Sequence, residues 1–260
     1  MKAKSLLPAL KSWFDNYVGH FISDDPTVQK NFDLKAEHTR RVCEVSRDIG
    51  ASLNVTAEDI CLAEINALLH DIGRFAQYQQ YRTFVDCRSE NHAALGVKVL
   101  RAERTLEKLE PALAEMILKV VGYHNQLDLP SKEDERCLFF LKILRDADKV
   151  DIWHVVTEYY LRSGNNRNPA LELDLPDEDR ISDSAYEALM SGKRVRMSDL
   201  TTLNDFKLLQ LGWIYDLNFP RTFQIVRERR YLEKIRQALP RNSLRVSEIY
   251  DRVSKYLTVS

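Results

Sequence analysis

Residues 57–75, AEDICLAEINALLHDIGRF, carry the reading on which the fold turns. Ile60, Ala63 and Ala67 recur at steps of three and four, the spacing that lines one face of an α-helix. His70 is the next position on that face, with Asp71 beside it. Thr56 precedes Ala57-Glu58-Asp59 as a loose capping box that starts the helix. Gly73 sits where the helix is expected to stop. This apolar stripe thus delivers an imidazole and a carboxylate toward a core. A buried polar group needs a partner, and an unpaired buried carboxylate is costly.

Four other stretches repeat the pattern. In 34–53 the stripe is Leu34, Val42, Val45, Ile49 and Leu53, and His38 falls on it. In 90–105 His92 is followed on one face by Leu95 and Val99. In 111–124 Leu113, Ile117 and Val120 lead to His124. In 134–162 Cys137, Leu141 and Leu144 lead to Asp148, with Ile152 and Val155 beyond. Taken singly, a histidine on an apolar face reads as a hydrogen-bonded core residue. The set resists that reading, because each of five successive helices supplies a member. Buried together, they place four imidazoles and two carboxylates near one core. Those donors suit divalent Mn, Fe, Ni, Co or Zn. His20 and His154 carry no comparable pattern.

Helical periodicity recurs along the rest of the chain, at 4–20, 183–191, 199–216, 220–239 and 243–257, and no sustained period-two alternation or hairpin turn is present. Pro111 and Pro220 suit first helical turns. Two stretches read as irregular, 73–89 and 163–180. The second divides a core at 1–162, including an N-terminal helix, from a helical C-terminal extension at 163–260 expected to pack on it. The expected fold is all-α.

A length of 260 residues allows a substantial core. The formal net charge of −1 provides no global field for a polyanion, so polymeric nucleic acid is not expected as a partner. Cys43, Cys61, Cys87 and Cys137 form no paired framework, which fits reduced thiols in the cytoplasm. The N-terminal MKAKSLLPALKSWFDNY is amphipathic and lacks the pattern of a signal peptide. The most apolar run, CLFFLKIL, is too short and too charged to span a membrane.

His38 in AEHTRRV, His70-Asp71 in LLHDIGRF and Asp148 in LRDADKVD resemble the signature of the HD-domain superfamily of metal-dependent phosphohydrolases. The resemblance covers about 34–155. It implies an all-α bundle with a central metal site, in which His38, His70, Asp71 and Asp148 hold one ion. His92 in SENHAALGVKVL and His124 in VVGYHNQ match the further histidines of the two-metal branch. The resemblance implies one ion or two, the second held by these histidines with Asp71 bridging, the alternative being that they contact phosphate instead. Asn125 stands where cyclic-dinucleotide phosphodiesterases of that branch carry a second consecutive histidine, and Arg74 stands where they carry lysine. The implied reaction is hydrolysis of a small phosphate ester, most simply a nucleotide, by hydroxide generated on the metal. Asp71, Arg74 and Lys149 are the candidate catalytic residues. Arg82 and Arg88 are weaker candidates for phosphate contact, and Lys142, Arg145 and Lys149 form a stripe that reads as a solvent face. Asp151 is expected either to support a ligand or to sit as a helix-terminal charge. A di-iron oxygenase and a non-catalytic metal-binding signalling module are the competing readings. The C-terminal helices are the candidate homodimer interface.

Overall fold

Asp25 and Pro26 start the longest helix of the first half well before its apolar stripe does. The Asp25 carboxylate accepts hydrogen bonds from the backbone N–H of Thr27 at 2.8 Å and Val28 at 3.3 Å, and Pro26 takes the first helical position. The computed structural model describes residues 2–162 and 168–259. Among them are thirteen α-helices and no strand. They are α1 (Ala3–Val18), α2 (Pro26–Ala51), α3 (Ala57–Leu69), α4 (Gly73–Tyr81), α5 (His92–Ala102), α6 (Pro111–Tyr123), α7 (Glu135–Arg162), α8 (Pro169–Glu172), α9 (Asp183–Met190), α10 (Leu203–Gly212), α11 (Pro220–Arg229), α12 (Tyr231–Gln237) and α13 (Leu244–Val259). The all-α expectation holds. No helix among the described residues is long and apolar enough to cross a membrane.

The chain divides into two compact units, Met1–Asp151 and Ile152–Ser260. The division lies inside α7, eleven residues before the sequence-based boundary at 162/163. That boundary borders 163–167, which fall outside the described residues.

In the first unit α3 packs against α1, α2 and α6, and α5 lies between α4 and α6. Ile49, Leu62, Ile65, Leu69, Ile72, Phe75, Leu100 and Ile117 are fully buried. Each such side chain contributes about 1.5 to 3 kcal/mol on leaving water. Phe14 and Phe75 meet edge to face at 6.2 Å, and Tyr78 stacks on Phe84 at 4.6 Å.

The expectation of an irregular 73–89 fails in its first half. Gly73 opens α4 instead of merely closing α3, and the role of this glycine is packing. A Cβ on it would lie 2.2 Å from the His92 carbonyl oxygen and 2.5 Å from the Gly96 backbone nitrogen. Only glycine lets α4 approach α5 this closely. Arg82, in the left-handed region at φ 55°, then ends α4.

The second unit is organised around α10, every residue of which is buried. The Trp153 indole N–H donates to the Gln210 carbonyl at 3.0 Å, and the same ring stacks near Tyr231 at 6.0 Å. Thr202 and Asp205 form a capping box at the start of α10. Arg230, at φ 54°, breaks the expected helix 220–239 into α11 and α12.

Candidate metal centre

The first unit brings all six expected ligand residues together at its centre. His38 projects from α2, and His70 and Asp71 occupy the turn between α3 and α4. His92 is the first residue of α5, held there by Asn91, whose side chain accepts from the Ala94 N–H at 2.9 Å. His124 follows the last turn of α6, and Asp148 lies on α7. The four histidines and Asp71 are buried. Asp148 keeps partial access, with 21% of its side chain exposed, so the cluster opens to solvent on that side.

Asp71 divides the cluster into two half-sites. Its Oδ2 lies 3.6 Å from His38 Nε2 and 3.7 Å from His70 Nε2. Asp148 Oδ1 completes that group at 3.1 Å from His38 Nε2 and 3.7 Å from His70 Nε2. The other oxygen, Oδ1, lies 3.5 Å from His92 Nε2 and 3.8 Å from His124 Nε2. Ligand atoms of His38, His70 and Asp71 all fall within 4.8 Å of one another, as do those of Asp71, His92 and His124.

Hydrogen bonding behind the rings fixes which nitrogen faces inward. His38 Nδ1 is 2.7 Å from Asp151, and His92 Nδ1 is 2.8 Å from Asp86. His70 Nδ1 meets the Ala67 carbonyl and His124 Nδ1 the Val121 carbonyl, each at 2.7 Å. An acceptor at Nδ1 keeps the proton there, so each neutral ring turns the Nε2 lone pair toward Asp71. His92 Nε2 and His124 Nε2 then face each other at 3.1 Å. The Nε2 atoms of His38 and His70 are buried without a well-formed hydrogen bond. Four inward-facing imidazole nitrogens and two carboxylates converging on one place attract cations, and the Lys35 ammonium 2.7 Å from Asp71 Oδ2 is one already there. These residues therefore fit divalent metal, and a carboxylate or carbonyl behind each imidazole is the support such ligands require.

The electrostatics differ between the half-sites. Burial and the nearby Lys35 ammonium work against a charge on His38, but Asp148 and Asp151 outweigh them and raise the ring to about 9. A proton and a divalent ion compete for that nitrogen. Burial and the Arg74 guanidinium push His92 down to about 3 despite Asp86. Burial disfavours charge on Asp71 and Asp148 as well. Lys35, His70, His124 and Arg74 nevertheless hold Asp71 well below the carboxylate range, and His38 and His70 do the same for Asp148.

The cations expected to meet phosphate are placed less simply. Arg74 Nε is 3.5 Å from Asp71 Oδ1, but its Nη1 donates to Gln77, the Phe84 carbonyl and Asp86 at 2.9, 2.6 and 3.0 Å. Its hydrogen bonds hold the loop that carries the Asp86 carboxylate against His92. Lys149 Nζ donates back along α7 to the Arg145 carbonyl at 3.2 Å. Arg82 and Arg88 are exposed, as is His20. The expected solvent stripe is corrected at two positions, because Arg145 and Lys149 are buried. Arg145 donates to the carbonyls of His124, Gln126 and Leu127, which pins the turn bearing His124 to α7. Asp151 is no helix-terminal charge: it lies within α7 against His38 Nδ1 and also accepts from Arg41 Nε at 2.6 Å and Nη2 at 3.1 Å.

Two contributors escaped the sequence reading. Asp86 sits in a loop with no periodicity to mark it, and accepts from His92, Arg74, Gln77 and Asn125. Lys35 precedes His38 by three residues, a same-face helical spacing that was visible, and its ammonium lies 2.7 Å from Asp71 Oδ2.

No curated protein and no solved structure matches the chain. The family model described as HD domain matches residues 36–153. That span begins two residues before His38, ends five after Asp148 and contains every member of the cluster. Residues 36–153 thus carry an HD domain, a family whose members are generally metal-dependent hydrolases.

Proposed function

We propose that the protein is a metal-dependent phosphohydrolase acting on a nucleotide or another small phosphorylated molecule, with two divalent ions sharing Asp71. The observation that carries this reading is the convergence of four imidazole Nε2 atoms on the two oxygens of one buried carboxylate. Bound divalent ions lower the pKa of water and stabilise charge on phosphoryl oxygens. His38, His70 and Asp148 hold one ion with Asp71, and His92 and His124 hold the other. Asp151, Asp86 and the carbonyls of Ala67 and Val121 keep each ring in its ligating orientation. Arg74 positions the second half-site through Asp86. The partly exposed Asp148 marks the side on which substrate enters. The four free cysteines fit a reducing, cytoplasmic setting.

The test is a screen of Mn-, Fe-, Ni-, Co- and Zn-loaded protein against nucleotides, dinucleotides and simple phosphate esters, with His70→Ala as control. Release of phosphate or a nucleoside phosphate by wild type alone is expected. Iron-dependent oxygen uptake without phosphate release contradicts the hydrolase reading in favour of a di-iron oxygenase.

A further inference from the structure

We propose that Lys35 binds the phosphoryl oxygen of the substrate, and that its ammonium exchanges places with the first divalent ion at Asp71 Oδ2. This inference rests on the metal-dependent reading above and assigns a substrate contact within it.

The surroundings of the cluster contain several cations, and their commitments differ. Arg41 grips Asp151 through two nitrogens. Arg145 is held by three carbonyls, and Arg74 Nη1 by three acceptors. Lys149 is turned toward a carbonyl of its own helix. Each is fastened to the frame. Lys35 differs, because among the described residues its hydrogen-bonding partner is Asp71 Oδ2 itself, at 2.7 Å. Its side chain retains 17% exposure, and its ammonium lies 5.3 Å from the centre of the Phe84 ring. It reaches the cluster from outside on a flexible stem.

That oxygen is also the one shared with His38 and His70. An ion held by His38, His70 and Asp148 therefore takes the acceptor that Lys35 now uses, and places a like charge beside the ammonium. Lys35 must then find another anion nearby. A phosphoryl group drawn to the same ion supplies one, within reach of a compact charge on a four-carbon stem. A charge-assisted hydrogen bond to a non-bridging oxygen follows. Lys35 thus balances Asp71 when the metal is absent and meets substrate when it is present.

The exchange predicts opposite effects on two ligands. Calorimetry with Mn²⁺ alone, then with inorganic phosphate added to the Mn-loaded protein, reads both without turnover. Lys35→Met should bind the first Mn²⁺ more tightly than wild type, because a competing cation is gone. Its affinity for phosphate should fall about tenfold or more, the usual cost of losing a charged hydrogen bond. Lys35→Arg, which keeps the charge, should retain most of the phosphate affinity and shows that the fold tolerates substitution here. Unchanged or weakened Mn²⁺ binding in Lys35→Met overturns the exchange. Unchanged phosphate binding in Mn-loaded Lys35→Met overturns the substrate contact, while metal-dependent hydrolysis by wild type would still stand. Absence of Mn²⁺ binding by wild type overturns both this inference and the functional reading beneath it.

Discussion

Asp71 and Asp205 are both buried aspartates, one in each compact unit, and they are satisfied in opposite ways. Asp205 Oδ1 accepts from the Ser182 N–H at 2.8 Å. Its Oδ2 accepts from the Thr201 N–H and hydroxyl and from the Thr202 N–H, at 3.0, 2.7 and 3.2 Å. Hydrogen-bond donors of the surrounding backbone and side chains close around that carboxylate. Around Asp71 one ammonium, that of Lys35, donates at 2.7 Å. The other close neighbours are the Arg74 guanidinium and four imidazole nitrogens at 3.5 to 3.8 Å, whose rings are backed by acceptors on the far side. One buried carboxylate fastens a helix start and a loop. The other faces a side-chain cation and a ring of imidazole nitrogens, a donor set that fits divalent metal. Burial alone does not distinguish architecture from function; the direction of the neighbouring protons does.

That contrast is broken most severely by removing metal. Chelation should lower the unfolding free energy of wild type by about 4 kcal/mol if the ion is present at a thousand times its Kd. It should leave Asp71→Ala, which removes the carboxylate shared by both half-sites, unaffected. Thermal melts with and without chelator check this, and equal responses from the two proteins would contradict it.

Asp205→Ala sharpens the same contrast from the other side. It should cost about 2 to 3 kcal/mol, because it strands charged-acceptor hydrogen bonds in a buried place. Metal content should not change. The pH dependence has a definite sign. Burial raises the Asp205 pKa, but the donors from Ser182 and Thr201 outweigh it and hold the carboxyl below its usual 3.8. Its stabilisation is therefore present above the unfolded value of about 3.9 and is lost as pH falls through the lower folded value. Wild type and Asp205→Asn should differ most near neutrality and converge in acid, as denaturant titrations across pH would show.

Gly73→Ala should cost about 1 to 3 kcal/mol, since the new methyl meets backbone at His92 and Gly96 and the helices must part. Metal retention should fall with it, because His92 starts the displaced helix. Arg74→Ala is the mildest. Loss of its grip on Asp86 should weaken the second ion about 10- to 100-fold, as removal of a ligand's support usually does, and leave the first ion in place. Competitive titration with a coloured chelator separates the two affinities.

The helices and the six cluster residues were legible because periodicity of 3.6 places side chains on faces, and the polar exceptions on those faces were few. What escaped was set by contacts that periodicity does not encode. Gly73 read as a stop because glycine commonly follows a helix; its close approach to α5 is a tertiary fact. The break at Arg230 has no glycine to mark it. The early start of α2 was legible, since Asp25 followed by Pro26 is a capping signal, but the apolar stripe drew attention to Leu34. Arg145 fell on a charged stripe and was assigned to solvent, yet its guanidinium is long enough to reach three carbonyls inside. Lys35 lay on the His38 face, and only the neighbouring helix end shows what its charge meets.

The central claim is that the two oxygens of Asp71 serve two ions held by different histidines. Elemental analysis of metal-reconstituted proteins tests it most directly. Wild type should carry about two ions per chain, His124→Ala about one, and Asp71→Ala essentially none, by the logic of a shared bridging carboxylate. Two ions retained in His124→Ala, or none taken up by wild type, would contradict it.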